Sequence, residues 1–339
     1  MGERSVSQSL LQVTDLRVEI ASRRGIVRAV DGVSLEIPAG EAVGLVGESG
    51  SGKSMTLRAM LGVLPSEARI TGGQVMLDGV DLVQLGHAEL NKIRGTKIAM
   101  IFQEPMSALN PVMRVGHQIA EGPQVHLGMN RAQSAERALE LMRRVGIPDP
   151  ERRFRSFPHE FSGGMRQRVM IAIALSCEPS VILCDEPTTA LDVTIQDQIL
   201  RLLARLCGES GTSLVFVTHD LPVVAQLCHQ LAVMYAGQIV ERGNVQDVLT
   251  QPWHPYTLGL VRSAPDVDHP RSSLVAIPGS PPSLINPPAG CRFNPRCKFA
   301  EQDCLVTDPP LRLVAAGRAT ACLHHDRCLE ALRTEGADL

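Results

Sequence analysis

The sequence predicts an α/β fold: a mainly parallel sheet covered by helices, preceded by an antiparallel β portion and followed by a cysteine- and proline-rich segment. Three observations lead there. The first 40 residues alternate apolar and polar positions, as in Leu11 and Val13, then Leu16, Val18 and Ile20, then Val33, Leu35 and Ile37. This is the period of strands with one buried face. From Glu41 to about Ala236 the pattern changes to short, wholly apolar runs (AVGLV, IAMIF, VILCD, SLVFVTH) separated by helical stretches. Such runs are buried on both faces, and their alternation with helices implies a parallel sheet. After Ser263, eight prolines between Pro265 and Pro295 leave no room for a long helix.

Taken in order, the N-terminal alternation gives an edge β-sheet, and the run AVGLV leads into a helix over Lys53 to Val63. Between Phe102 and Arg155 lies a mostly helical insertion, with amphipathic segments near Val115 to Glu121 and Arg131 to Val145. The boundary falls near residue 264. The expected organisation is a domain over 10–264, with a helical subdomain at about 103–178, and a Cys-rich segment over 265–339.

With 339 residues and 44% hydrophobic composition the chain can bury a sizeable core. A net charge of -3 provides no field favouring nucleic acid, which is not an expected partner. The first residues, MGERSVSQSLLQV, lack an apolar signal core, and the longest strongly apolar run, Val169 to Leu175, is far short of a bilayer span. A cytosolic chain is expected, touching the membrane only through a partner. Its nine cysteines are therefore not read as a disulfide framework. Cys177, Cys184, Cys207 and Cys228 sit singly in apolar patterns and are expected to be buried. Cys291, Cys297, Cys304, Cys322 and Cys328 crowd into the last fifth of the chain.

The segment Gly47-Glu48-Ser49-Gly50-Ser51-Gly52-Lys53-Ser54, followed by Met55, fits G-x-x-x-x-G-K-[ST] in a strand–loop–helix context. Its glycines let the backbone wrap a polyphosphate, Lys53 neutralises the phosphates and Ser54 coordinates Mg²⁺. Farther on, the apolar run ending in Asp185 and Glu186 delivers two acids to a sheet edge: Asp185 for the Mg²⁺ shell, Glu186 to orient or deprotonate the attacking water. Phe161-Ser162-Gly163-Gly164-Met165, placed 23 residues before Asp185, puts a hydroxyl and two glycine N–H groups at a helix N-terminus, a second anion site.

These motifs together resemble those of ABC-type ATPases over roughly residues 10–262. The resemblance implies that Ser162, Gly163 and Gly164 close over the γ-phosphate held by an opposite subunit. It implies that Gln103 touches Mg²⁺ or water, that His219 contacts the γ-phosphate, and that Thr189 to Asp192 forms the loop crossing the dimer interface. Two departures stand out. Residues 1–101 contain no Phe, Tyr or Trp to stack on adenine, so Arg23 or Arg24 would have to serve through a cation–π contact of about 1 kcal/mol. The signature ends in Met165 where glutamine is commoner.

The C-terminal stretches HPYTLGLVRSAP and PGSPPSLINPPAGCRFNPRC, with Ala321-Cys322, are similar to those of ATPases serving dipeptide or oligopeptide importers. That similarity implies ATP and Mg²⁺ as cofactors, a second, non-identical ATPase subunit, two transmembrane permeases, an extracytoplasmic peptide-binding protein reached through the complex, and a peripheral position on the cytoplasmic face of the inner membrane. Importers of nickel or oligosaccharide and soluble ABC proteins are the alternatives. The spacing C-x5-C-x6-C-x17-C of Cys291, Cys297, Cys304 and Cys322 leaves free thiols, zinc and an iron–sulfur cluster open. Resemblance to the peptide-importer ATPases, some of which carry such a cluster, points to [4Fe–4S], with zinc as the alternative metal and His324, His325 and Cys328 as alternative ligands.

Overall fold

The computed structural model describes residues 9–189, 191–263 and 276–335. The expected boundary near 264 adjoins the stretch outside the described residues. Twelve strands are described: β1 (Ser9–Ser22), β2 (Gly25–Pro38), β3 (Ala42–Val46), β4 (Ala68–Leu77), β5 (Val80–Asp81), β6 (Ile98–Ile101), β7 (Val181–Asp185), β8 (Ser213–Thr218), β9 (Gln230–Tyr235), β10 (Gln238–Asn244), β11 (Arg312–Ala315) and β12 (Arg318–Thr320). The chain forms two compact units, one of residues 1–11, 37–41 and 84–216, the other of residues 12–36, 42–83 and 217–339.

In the first unit β8, β7 and β6 are neighbours, and β6 runs parallel to β7 with Ile101 opposite Cys184. Every residue of these three strands is buried, as expected of a sheet covered on both faces. The insertion is helical: Val115–His126 continues through Pro123, and Arg131–Arg144 follows it. Asn130 caps the latter, its side chain accepting from the N–H groups of Ala132 and Gln133, while Gln133 reaches back to the Asn130 N–H. Helix Gly163–Leu175 buries Val169, Met170, Ile171 and Ala172.

In the second unit β1 and β2 pair with β4 and β5 in the order β2-β1-β4-β5, and β1 buries Leu11, Val13, Leu16 and Val18. The alternation from Leu11 to Val18 lies on one long strand, β1. A second sheet holds β3 parallel to β9, with β10 antiparallel to β9. The C-terminal segment adds to that sheet: β12 pairs antiparallel with β10 (Glu241 opposite Thr320), and β11 pairs with β12. The segment borrows the edge of β10 and buries Ala319, Ala321 and Phe293. Among the described residues no helix is long and apolar enough to cross a membrane.

Candidate active site

The phosphate loop leaves β3, whose five residues are all buried, and enters helix Lys53–Leu61. A Cβ at Gly47 would lie 2.1 Å from the Met234 carbonyl oxygen, and one at Gly52 2.3 Å from that of Ala29, so backbone packing leaves space for glycine alone. Gly52 is also left-handed, at φ 108, where it caps the helix. Ser49 and Gly50 form the exposed tip, and Ser54 and Met55 stand half-buried in the helix's first turn. Lys53 is 5% exposed and its Nζ donates to the carbonyls of Gly47 (2.7 Å) and Glu48 (3.0 Å). The Ser51 hydroxyl is buried with no hydrogen-bond partner among the described residues, and its carbonyl accepts from Gly237 N–H. A helix N-terminus, glycine amides and one lysine in this arrangement form an anion cradle. In the same unit Arg24 lies exposed in the turn between β1 and β2, and His219 lies exposed just after β8.

The first unit carries the other candidate residues. Because β6 and β7 run parallel, Gln103 and the acids leave the sheet at the same edge. Gln103 stands two residues beyond β6, not at its end. Asp185 closes β7 and is 3% exposed. Glu186 follows at φ 45, a left-handed conformation that costs a residue with a side chain about 1–3 kcal/mol. Its Oε2 accepts from Thr189 Oγ1 (2.9 Å) and from Gln103 Nε2 (3.4 Å). Gln103, Glu186 and Thr189 are thus one constellation.

Ser162 caps helix Gly163–Leu175, its Oγ accepting from Met165 N–H. A Cβ on Gly164 would meet Ile195 Cγ2 at 2.7 Å, so internal packing requires that glycine; one on Gly163 would meet only Leu191, at an ordinary 3.6 Å. Asp192 caps helix Val193–Ser210 by accepting from Ile195 N–H (2.9 Å), so its side chain is already engaged in its own subunit. Ala190, inside the loop read from sequence, lies outside the described residues.

In the second unit Cys291, Cys297, Cys304 and Cys322 line one small cavity together with His254, Phe293, Phe299 and His324. All four are free thiols. Burial, followed by the neighbouring cysteines, pushes Cys291 up to about 11 and Cys322 up to about 12, so a metal there must displace protons. Asp303, Cys304 and His324 are the described group of three whose ligand atoms all lie within 4.8 Å of one another, and it includes one of the four cysteines. Cys177, Cys184, Cys207 and Cys228 are buried as expected.

A family model described as ABC transporter matches residues 30–189, and one described as Oligopeptide/dipeptide transporter, C-terminal region, matches residues 240–304. The "Probable peptide ABC transporter ATP-binding protein y4tR" of Sinorhizobium fredii is 49% identical over 315 residues, 92% of this chain and 94% of the relative. The "Oligopeptide transport ATP-binding protein OppD" of Salmonella typhimurium is 47% identical over 313 residues, 92% and 93%. This chain belongs to the oligopeptide/dipeptide ABC transporter ATP-binding protein family. A dimeric structure of the ATP-binding cassette MJ0796 bound to ADP and Pi is 30% identical with a TM-score of 0.63, covering 69% of this chain and 98% of that one. The fold is that of an ABC ATPase, and the chain is an ATPase coupled to transport.

Sequence reasoning did not single out four residues that matter to this ATP-binding protein. His254, 1% exposed, is held neutral by burial, its pKa lowered to about 3, and accepts from Tyr256 N–H on Nδ1. Tyr256 Oη accepts from Glu48 N–H (2.7 Å). Arg296 grips the Glu48 side chain, and Arg318 pairs with Glu241. The HPY run carries a resemblance in the sequence but no sign of these contacts. Arg296 stands between Arg292 and Lys298 with nothing local to mark its pairing.

Proposed function

We propose that this chain hydrolyses ATP to power uptake of dipeptides or oligopeptides by an ABC importer, working at the cytoplasmic face of the membrane. The single observation that carries the cargo reading is the near-full-length similarity to peptide-transport ATP-binding proteins, extending through the C-terminal region at 240–304. In this reading Lys53 and the loop amides hold the phosphates, Ser54, Asp185 and Gln103 hold Mg²⁺, and Glu186 activates water with His219 on the γ-phosphate. Arg24 is placed on adenine.

A second ATPase subunit completes each site by presenting Ser162, Gly163 and Gly164, with Asp192 in the crossing loop. The room beside Gly163 supports this, since no packing inside the subunit requires a glycine there. Turnover per subunit is expected to fall steeply as the protein is diluted to monomer. A constant rate per subunit, measured by phosphate release against protein concentration, overturns the shared site.

The permeases are placed on the helical insertion, where Asn110, Val112, Met113, Arg114, His117 and Phe157 line an open groove and Val112 is 83% exposed. A pull-down from detergent-solubilised membranes is expected to recover two permeases and a non-identical ATPase subunit. Recovery of ribosomes or DNA instead would assign a soluble ABC function.

Residues 265–339 are read as the Cys-rich C-terminal extension of this importer type, holding one [4Fe–4S] cluster on Cys291, Cys297, Cys304 and Cys322. All four are free thiols lining one small cavity, a donor set that suits such a group. When bound, the cluster would supply a covalent cross-link that orders the extension, and ATP hydrolysis needs no electrons from it. Protein purified anaerobically is expected to contain iron and acid-labile sulfide in equal amounts. Stoichiometric zinc without sulfide would refute the cluster, and metal-free folded protein would overturn both metal readings.

A further inference from the structure

We propose that Arg296 is a positioning residue of the ATP site: reaching from the cysteine-rich segment, it holds Glu48 and so, together with Tyr256, sets the phosphate loop in its nucleotide-binding shape. The proposal rests on the ATPase reading of that loop and adds a second control on it.

Arg296 is 4% exposed at its side chain. Its Nη1 and Nη2 donate to the two carboxylate oxygens of Glu48 at 2.6 and 3.0 Å, and its Nε donates to the Pro278 carbonyl at 2.8 Å. The guanidinium also lies 5.8 Å from the Tyr235 ring centre and 5.9 Å from that of Phe293. A planar, bidentate, ring-flanked fork of this kind fixes the direction of a carboxylate as a lysine cannot.

Glu48 is the second residue of the phosphate loop, and all three of its polar groups are engaged. The side chain goes to Arg296, the N–H to Tyr256 Oη, and the carbonyl to Lys53 Nζ. The lysine that neutralises phosphate is therefore one hydrogen bond from a residue clamped by the C-terminal region. A glycine-rich loop has little stiffness of its own, so its curvature depends on such outside contacts. The pairing also settles an electrostatic conflict. A carboxylate inside a polyphosphate site repels its ligand, and Arg296 both neutralises Glu48 and turns it away.

The clamp is in turn held by the cysteine framework. Arg296 ends the turn Asn294–Arg296, which lies between Cys291 and Cys297. Asn294 Nδ2 donates to the Cys291 carbonyl at 2.7 Å, and Cys291 N–H donates to the Cys304 carbonyl at 2.9 Å. Order among the cysteines thereby reaches the phosphate loop through one buried arginine.

The test is nucleotide binding and steady-state hydrolysis by the full chain in its assembled transporter, with a fluorescent ATP analogue as binding probe and thermal melting to report folding. Arg296→Met is expected to raise both the probe's Kd and the KM for ATP about ten-fold or more, with kcat at saturating ATP within about two-fold of the parent. Arg296→Lys, which keeps the charge, should recover part of that loss. Adding Glu48→Gln to Arg296→Met should recover more, because no carboxylate is then left uncompensated. Tyr256→Phe, which removes only the acceptor for Glu48 N–H, should raise KM about three-fold. This variant keeps the test decisive if Arg296→Met fails to fold. Unchanged KM in folded Arg296→Met, or in Tyr256→Phe when the former does not fold, overturns the proposal. So does loss of kcat in proportion to folded protein with KM unmoved. Lys53→Ala serves as the separate control on the ATPase reading: if it binds the probe as tightly as the parent, that reading fails whatever Arg296 does.

Discussion

Substituting glutamine for Glu186 is expected to slow ATP turnover by about 10²- to 10⁴-fold while leaving ATP binding intact, the range a general base contributes. The geometry explains the separation. Glu186 sits just past the buried end of β7 in a left-handed conformation, with Oε2 accepting from Thr189 Oγ1 and Gln103 Nε2. A glutamine keeps an oxygen that accepts from Thr189, so the local shape survives. It loses the basicity and the charge that act on water. In the proposed site the phosphates are held by Lys53 and the loop amides, which the substitution leaves untouched, so an ATP-bound closed dimer should accumulate. Phosphate release and nucleotide retention, measured in the assembled complex, check both halves, and near-parental turnover would remove Glu186 from the catalytic role.

The largest expected loss of stability comes from Arg318→Met, at about 3–5 kcal/mol, the usual cost of leaving one partner of a buried ion pair alone. Glu241 is fully buried, and its carboxylate accepts from the N–H groups of Trp253 and His254 and from Arg318 Nη2 at 3.0 Å. The guanidinium lies 3.8 Å from the Trp253 ring centre and also donates to the Gln251 carbonyl. One pair thus ties β12 to β10 and to the start of the HPY turn. Burial already pushes the Glu241 carboxyl above its ordinary range, and removing Arg318 raises it further. A carboxyl whose folded pKa is raised stabilises the fold at pH below its unfolded value, and that stability is lost as pH rises through the folded pKa. The deficit of Arg318→Met should accordingly be largest at neutral pH and shrink on acidification. Urea unfolding at several pH values measures it, and a pH-independent deficit below about 1 kcal/mol would show the pair to be dispensable.

The residue pattern alone was enough for the elements that rest on local rules. The all-buried strands β3, β7 and β8 appear as unbroken apolar runs because both faces of each are covered. The phosphate loop was legible because an eight-residue stretch carries its whole chemistry, and Gly47 and Gly52 are required by carbonyls that any such loop must approach. Ser162 is marked by its place ahead of a helical run and Asp192 by resemblance alone, and the structure gives both a capping bond.

Pairings between distant residues left no such trace. Glu48 and Arg296 are 248 positions apart, and Glu241 and Arg318 are 77 apart. An acid and an arginine are common surface residues, and nothing local marks these four as paired. The placement of the C-terminal segment is likewise invisible in its own residues, because the edge of β10 on which it pairs lies outside it. Sequence periodicity records how a residue meets its own helix or strand. Only the tertiary structure decides which charges leave water together, because the cost of burying each is met by a partner that chain order does not predict.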